Sequence, residues 1–178
     1  SVPVHVLDSG NISLATGLAA MVAAEEAARG APLPELIRKV NRCARRSYCY
    51  AVLNTVEHLR RSGRVSQIMS TLATLVQIKP LIGFASGVVS IERVRTLRSA
   101  MTRLLDKIGQ LGNLSRLTVL HTNAAERAES FLQLARDLVP AGALTAETRL
   151  ASPVLCVHLG PDAVGFAAVT RGGDDSAD

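Results

Sequence analysis

Short apolar runs alternate along this chain with longer segments whose apolar residues recur every three or four positions. The clearest helical segment carries its apolar residues on one face, at Leu97, Met101, Leu104, Leu105, Ile108 and Leu111. Because alternating helices and strands bury their apolar sides in layers, this order predicts an α/β fold. The strand-like runs at 77–82 and 88–94 flank Ser86-Gly87, which predicts a hairpin and hence a mixed parallel and antiparallel sheet.

The other elements follow from the same periodicities and from turn residues. Strands are predicted at 2–7, 48–53, 117–120, 144–148 and 164–169. Helices are predicted from 14 to 30, after Pro34, at 54–63, at 66–76 and after Asn123. Residues 172–178 are polar, and we expect this tail to be disordered.

Composition narrows the chemistry of the core and of the partners. Hydrophobic residues make up 48% of the chain and aromatic residues 3%, so the core must be aliphatic. The net charge of +5 favours anionic partners without selecting one. Since binders of single-stranded nucleic acid stack bases on aromatic side chains, we expect no nucleic-acid partner.

Catalytic, metal and membrane signatures are missing from the sequence. The cysteines Cys43, Cys49 and Cys156 lack the spacing of metal ligands, and we interpret them as reduced thiols of a cytoplasmic protein. We find no nucleophile with a base, no paired carboxylates and no phosphate-binding loop, and therefore predict no catalysis and no cofactor. The richest apolar run stops at Glu25, so we expect no membrane span, and we see no signal peptide.

The step His158-Leu-Gly-Pro161 separates two apolar runs that we interpret as strands. An imidazole at the end of a strand can donate a hydrogen bond to a carboxylate, and Gly160 exposes backbone N–H groups beside it. A histidine whose nitrogens bind backbone groups is the equally good structural alternative.

Most basic residues of the chain are arginines, and they suggest two further binding features, a single residue and a basic run. Arg95 follows a predicted strand and precedes the long helix, where it lies either at a cleft or in solvent. Between Arg38 and Arg64 the chain carries eight Lys and Arg residues against one acid, Glu57. Such a run is either a solvated face or a docking surface for an acidic partner, and Arg60, Arg61 and Arg64 belong to it.

Six local motifs then occur in one order. They are Val6-Leu-Asp-Ser9, Arg61-Ser-Gly-Arg-Val-Ser66, Ile78-Lys-Pro80, Glu92-Arg-Val-Arg95, His121-Thr-Asn-Ala-Ala-Glu126 and His158-Leu-Gly-Pro161 with Gly165 behind it. In this order they resemble the DegV family of bacterial fatty-acid-binding proteins. The resemblance departs from the family at Ser62, where its motif has glycine, and at Asp162, where glycine again is usual.

The resemblance implies a non-catalytic carrier that binds a long-chain fatty acid and presents its carboxyl group to a partner fatty acid kinase. It implies that residues 1–52 are the rear of a first α/β domain whose front is missing, and that 53–171 form a second domain. The Ser and Thr residues that hold the carboxylate would lie in that missing front. If so, we expect residues 2–46 to expose apolar surface and to mediate homodimerisation.

The resemblance also assigns site residues. It implies ligand contacts from His158, Gly160 and Arg95, and kinase contacts from Arg60, Arg61 and Arg64. Two other functions stay open on the residues alone. One is a basic regulatory or nucleic-acid-binding module, and the other is a transferase that uses His158.

Overall fold

The computed structural model describes residues 4–63, 78–143 and 147–172. The strands described are β1 (Ser47–Val52), β2 (Lys79–Ala85), β3 (Val88–Val94), β4 (Leu114–Thr122), β5 (Arg149–Leu150) and β6 (Ala163–Thr170). The helices described are α1 (Ser13–Ala28), α2 (Leu33–Arg45), α3 (Glu57–Arg61), α4 (Leu97–Leu111), α5 (Ala125–Arg136) and α6 (Pro153–Leu159). The alternation along the chain is therefore that of the predicted α/β fold.

One mixed sheet organises these elements. It has six strands in the order β3-β2-β1-β6-β4-β5. The β4–β5 pair is parallel and the other four pairs are antiparallel. The predicted hairpin is confirmed as β2–β3, and its turn residues Ser86 and Gly87 both have positive φ angles, 50° and 78°. This left-handed pair matches the twist of the two strands.

Helices cover both faces of the sheet because the central strand β6 is apolar on both sides. Val164, Phe166 and Ala168 face a core formed with α4 and α5, which we call the first face. Ala167 and Val169 point the other way, towards α1 and α2, and we call this side the second face. The short helices α3 and α6 contribute Leu59 and Leu159 beside them. A central strand that is buried on both sides requires cover on both sides.

Glu26 connects α1 and α2 through two cations. Its carboxylate accepts from Lys39 Nζ at 2.8 Å and from Arg29 Nη1 at 2.6 Å. The residue is only 7% exposed. The hydrogen bond from Lys39 is the main cause that lowers the pKa of Glu26, and the Glu26 carboxylate raises the pKa of Lys39 in return. The ion pair holds the two helices together on the second face.

Two predicted strands are wrong. Residues 4–7 form no strand, and Val4 and Val6 are 83% and 92% exposed. They lack a partner strand among the described residues, and alternating apolar residues cannot form a sheet without one. The run before His158 is also not a strand but the helix α6.

Several other predictions concern residues that lie partly or wholly outside the described ranges. The helix at 66–76, Arg64 and the tail from 173 lie outside them, as do residues 144–146 of the predicted strand at 144–148. The division into domains at residue 52 stays a prediction. In the structure β1 pairs with β2 and β6, both of which come from beyond that boundary.

We expect Glu26→Gln to lower the melting temperature at neutral pH, because an amide cannot replace the charge that meets Lys39 and Arg29. A carboxyl whose pKa is lowered by folding stabilises the fold fully above its ordinary value near 4.5 and loses this contribution as the pH falls through the lowered value. The difference between wild type and variant should therefore shrink in acid. Thermal unfolding across a pH series measures it, with the exposed Asp106→Asn as control, and a difference that stays constant down to pH 2 would contradict the account.

Candidate functional site

A long groove crosses the second face between α1 and the strands β4 and β5. Its volume is about 750 Å³, and α6 closes one side. Aliphatic side chains dominate the walls, from Leu14, Leu18, Met21, Leu120, Leu150 and Leu155. Volume and lining fall within the range of sites that bind small apolar molecules.

Helix α1 forms one wall because it is apolar nearly all round. Its sequence, SLATGLAAMVAAEEAA, has no polar stripe before Glu25. Ala15, Leu18 and Ala19 are buried against the sheet and α2, whereas Met21 is 47% exposed at the groove. A helix without a polar face normally has apolar neighbours on every side. Here the groove takes the place of one such neighbour.

A smaller cavity continues the groove towards β1. Its volume is about 30 Å³, and it shares Ser13, Leu120, Ala151 and Leu155 with the groove. Further in, it is lined by apolar groups that include Phe84 and Leu159. The groove therefore has an apolar end.

The opposite end carries charge. Arg116 lines the groove from β4, and its Nη2 donates to both carboxylate oxygens of Glu25 on α1 at 2.9 Å. Both side chains are about one-third exposed or more, at 36% and 41%. A half-exposed ion pair of this kind contributes little to stability. It leaves a guanidinium beside the open end of the groove.

His158 lies in the last turn of α6 rather than at a strand end. Its Nδ1 atom is buried without a hydrogen-bond partner among the described residues. The neighbouring Leu155 and Leu159 line the cavities, whereas His158 does not. The prediction of a strand-end imidazole is wrong in its local structure, because the residue lies on a helix.

Gly160 ends α6 and is needed for shape. Its φ of +74° is the left-handed conformation that helix ends give to glycine, and an added Cβ would collide with the ring of His58. Thr122, the last residue of β4, fixes this turn with two hydrogen bonds. Its Oγ1 donates to Gly160 O at 2.5 Å and accepts from Ala163 N at 3.0 Å. Asp162 has a positive φ of 66° and lies outside the groove, in an open hollow beside His121.

The predicted arginines are not brought together with His158 at the groove. Arg95 is exposed after the end of the edge strand β3 and lines none of the cavities described here. Arg60 and Arg61 both donate to Glu57, at 2.8 and 2.7 Å, and these hydrogen bonds lower the pKa of Glu57 to about 2. Arg64 lies outside the described residues.

Sequence reasoning missed the lining of the groove. Its walls come from α1, β4, β5 and α6, which are far apart along the chain, so no local motif marks them. The one available signal was α1, whose apolar residues are not confined to one face.

Among the residues described, no group of three or more His, Cys, Asp or Glu side chains could hold a metal ion. No described helix is long and apolar enough to cross a membrane. Burial raises the pKa of the Cys49 thiol to about 12, which keeps it protonated and unreactive at neutral pH.

The fold is that of an α/β protein whose second face carries a groove with mainly aliphatic walls. Residues 1–171 match the family model for uncharacterised proteins of the DegV family. The chain belongs to the DegV family, as the sequence motifs predicted.

Individual relatives agree with this assignment. A DegV domain-containing protein of Streptomyces coelicolor is 31% identical over 175 residues, which cover 96% of this chain and 61% of the relative. The crystal structure of a DegV family protein from Corynebacterium glutamicum superposes with a TM-score of 0.82 at 27% identity, over 94% of this chain and 64% of that one. The structure of DegV from Bacillus subtilis, described as a fatty acid binding protein, gives 0.77 at 26% identity, over 94% and 60%.

The chain thus spans about three-fifths of these relatives' length, 61% for the first. The family match begins at residue 1, so it does not support the prediction that the front of the first domain is missing.

We expect Thr122→Val to destabilise the fold by about 1–3 kcal/mol, because it leaves the buried Gly160 carbonyl and Ala163 N–H without their partner. Urea unfolding measures the change. Thr102→Val is the matched control, since Thr102 is exposed on α4. Equal stability of the two variants would show that Thr122 does not hold the turn.

Proposed function

We propose that this chain is a non-catalytic carrier that binds a long-chain fatty acid in the groove between α1 and β4–β5. The observation that carries the proposal is the groove itself, about 750 Å³ with aliphatic walls, on a fold shared with a relative described as a fatty acid binding protein. We place its action in the cytoplasm.

The walls supply enough affinity for a hydrocarbon chain. Burying about fifteen methylene groups yields about 12 kcal/mol before the cost of association is subtracted. An acyl tail directed towards Phe84 and Leu159 occupies the apolar end, and its carboxylate then lies towards Arg116, where it competes with Glu25 for the guanidinium.

We further propose that the protein presents the carboxyl group of its bound fatty acid to a partner fatty acid kinase. An open charged end supports it, because a second protein must reach the carboxyl group. Arg60 and Arg61 are 60% and 71% exposed and project from the surface, where an acidic partner can compete with Glu57 for them. Arg64, which lies outside the described residues, is the third proposed kinase contact.

The proposed ligand contacts from His158, Gly160 and Arg95 have different support. The unpartnered Nδ1 of His158 gives it the strongest support, because a buried nitrogen without a partner is unfavourable. Since His158 does not line the groove, the group that satisfies it would belong to a ligand head group or a partner beyond the groove lining. Gly160 contributes the turn that places the end of α6. Arg95 is accessible, and its part in the site rests on the family resemblance.

Homodimerisation through residues 2–46 remains a proposal. The exposed Val4 and Val6 support it, since contiguous apolar surface favours association. Sedimentation velocity at micromolar concentration tests it, and a monomer there would refute it.

We expect Leu150→Asp to reduce affinity for palmitic acid at least about tenfold, because a charged side chain replaces an apolar contact with the acyl chain in the groove wall. Leu150 is 66% exposed, so the fold should tolerate the change. Leu134→Asp on α5 is the matched control, as Leu134 is 59% exposed and lies outside the groove. Calorimetric titration measures both, and equal affinities in the two variants would exclude this groove as the acyl site.

We expect the loaded chain to leave its fatty acid unchanged with ATP alone and to yield the acyl phosphate once a bacterial fatty acid kinase is added. Native mass spectrometry and product analysis of the ligand follow the reaction. Phosphorylation by the isolated chain would instead support a transferase, and a bound acid that no such kinase can use would contradict presentation.

A further inference from the structure

Gly17 stands in the middle of α1 without a conformational reason. Glycine is less favourable than alanine inside a helix, because it loses more backbone freedom on folding. Seven glycines among the described residues have positive φ angles that other residues avoid, and Gly17 is not one of them. The helix itself would be more stable with alanine here.

Close packing does not require glycine at this position either. A Cβ added to Gly17 would meet one heavy atom within 4 Å among the described residues, the flexible Leu14 Cδ1 at 3.1 Å. At Gly165, by contrast, a Cβ would collide with the backbone oxygen of Tyr50. The fold needs Gly165 to be small, whereas a Cβ at position 17 would displace only the flexible end of Leu14, a side chain that itself lines the groove.

Gly17 belongs to the lining of the groove. Ser13, Gly17 and Met21 are four residues apart and form one row along α1, and all three line the groove. Gly17 is the middle member of this row, facing the side that Thr118 and Leu120 contribute from β4. A side chain at position 17 would project into the groove at mid-length.

We propose that Gly17 sets the width of the groove and thereby determines which acyl chains enter. This inference rests on the proposed function. A cis double bond bends an acyl chain near its middle and widens the space it needs, whereas a saturated chain can lie straight. The missing side chain at position 17 provides this width at the point where a bent chain requires it.

The effect of a single methyl group follows from the packing of apolar sites. Protein interiors are packed closely enough that one added carbon is felt. In apolar pockets one methylene changes discrimination by about 10-fold or more. We therefore expect Gly17→Ala to weaken binding of oleic acid about 10-fold, to weaken binding of stearic acid clearly less, and Gly17→Leu to abolish both.

The experiment compares the affinities of wild type, Gly17→Ala and Gly17→Leu for oleic and stearic acid by calorimetric titration. Gly109→Ala is the matched control, because Gly109 is exposed inside α4 and a Cβ there meets nothing within 4 Å. Both alanine variants should melt at a higher temperature than wild type, which shows that the fold is intact. Only the Gly17 variant should lose affinity.

The outcomes separate this inference from the proposed function. Binding by the wild type with unchanged affinities in both Gly17 variants would overturn the role of Gly17 and leave the carrier function standing. Equal losses for oleic and stearic acid in Gly17→Ala would overturn the selectivity. A wild-type chain that binds neither acid would overturn the carrier function itself, and the role of Gly17 with it.

Discussion

The burial of the central strand β6 on both faces is the constraint on which the rest of the structure depends. Nearly every residue from Ala163 to Val169 is inaccessible to solvent, so helices must cover the sheet twice. The first face is filled by the long helices α4 and α5. The second face is covered by two separate pairs, α1 with α2 and α3 with α6. The groove lies between these two helix pairs, bordered by α1 on one side and α6 on the other.

This arrangement builds the walls of the groove mainly from helices and strands. One wall is α1, which Glu26 ties to α2 through Lys39 and Arg29. The floor is β4, and the other side is α6, whose end is fixed by Thr122. Because aliphatic surface is costly to leave in water, the proposed apolar ligand would complete the second face much as α5 completes the first. Binding and folding thus draw on the same physical effect.

Much of the fold could be predicted from the sequence, and the exceptions have physical reasons. Helices such as α4 were found because their apolar period is strong, and the hairpin because Ser86-Gly87 allows only a tight turn. Helix α6 was missed because Val154-Leu-Cys-Val157 is continuously apolar, a pattern that suits a buried strand equally well. Pro153 before this run and Gly160 after it were the signals of a short helix. The groove could not be predicted, since its walls meet only after four distant elements have packed.

Intermolecular nuclear Overhauser effects from a ¹³C-labelled fatty acid test the central claim most directly. We expect contacts between the labelled chain and the methyl groups of Leu14, Leu18 and Leu155, with the terminal methyl nearest Leu159. Contacts confined to other surfaces, such as Leu134 on α5, would show that the ligand binds elsewhere and that the groove is not the site.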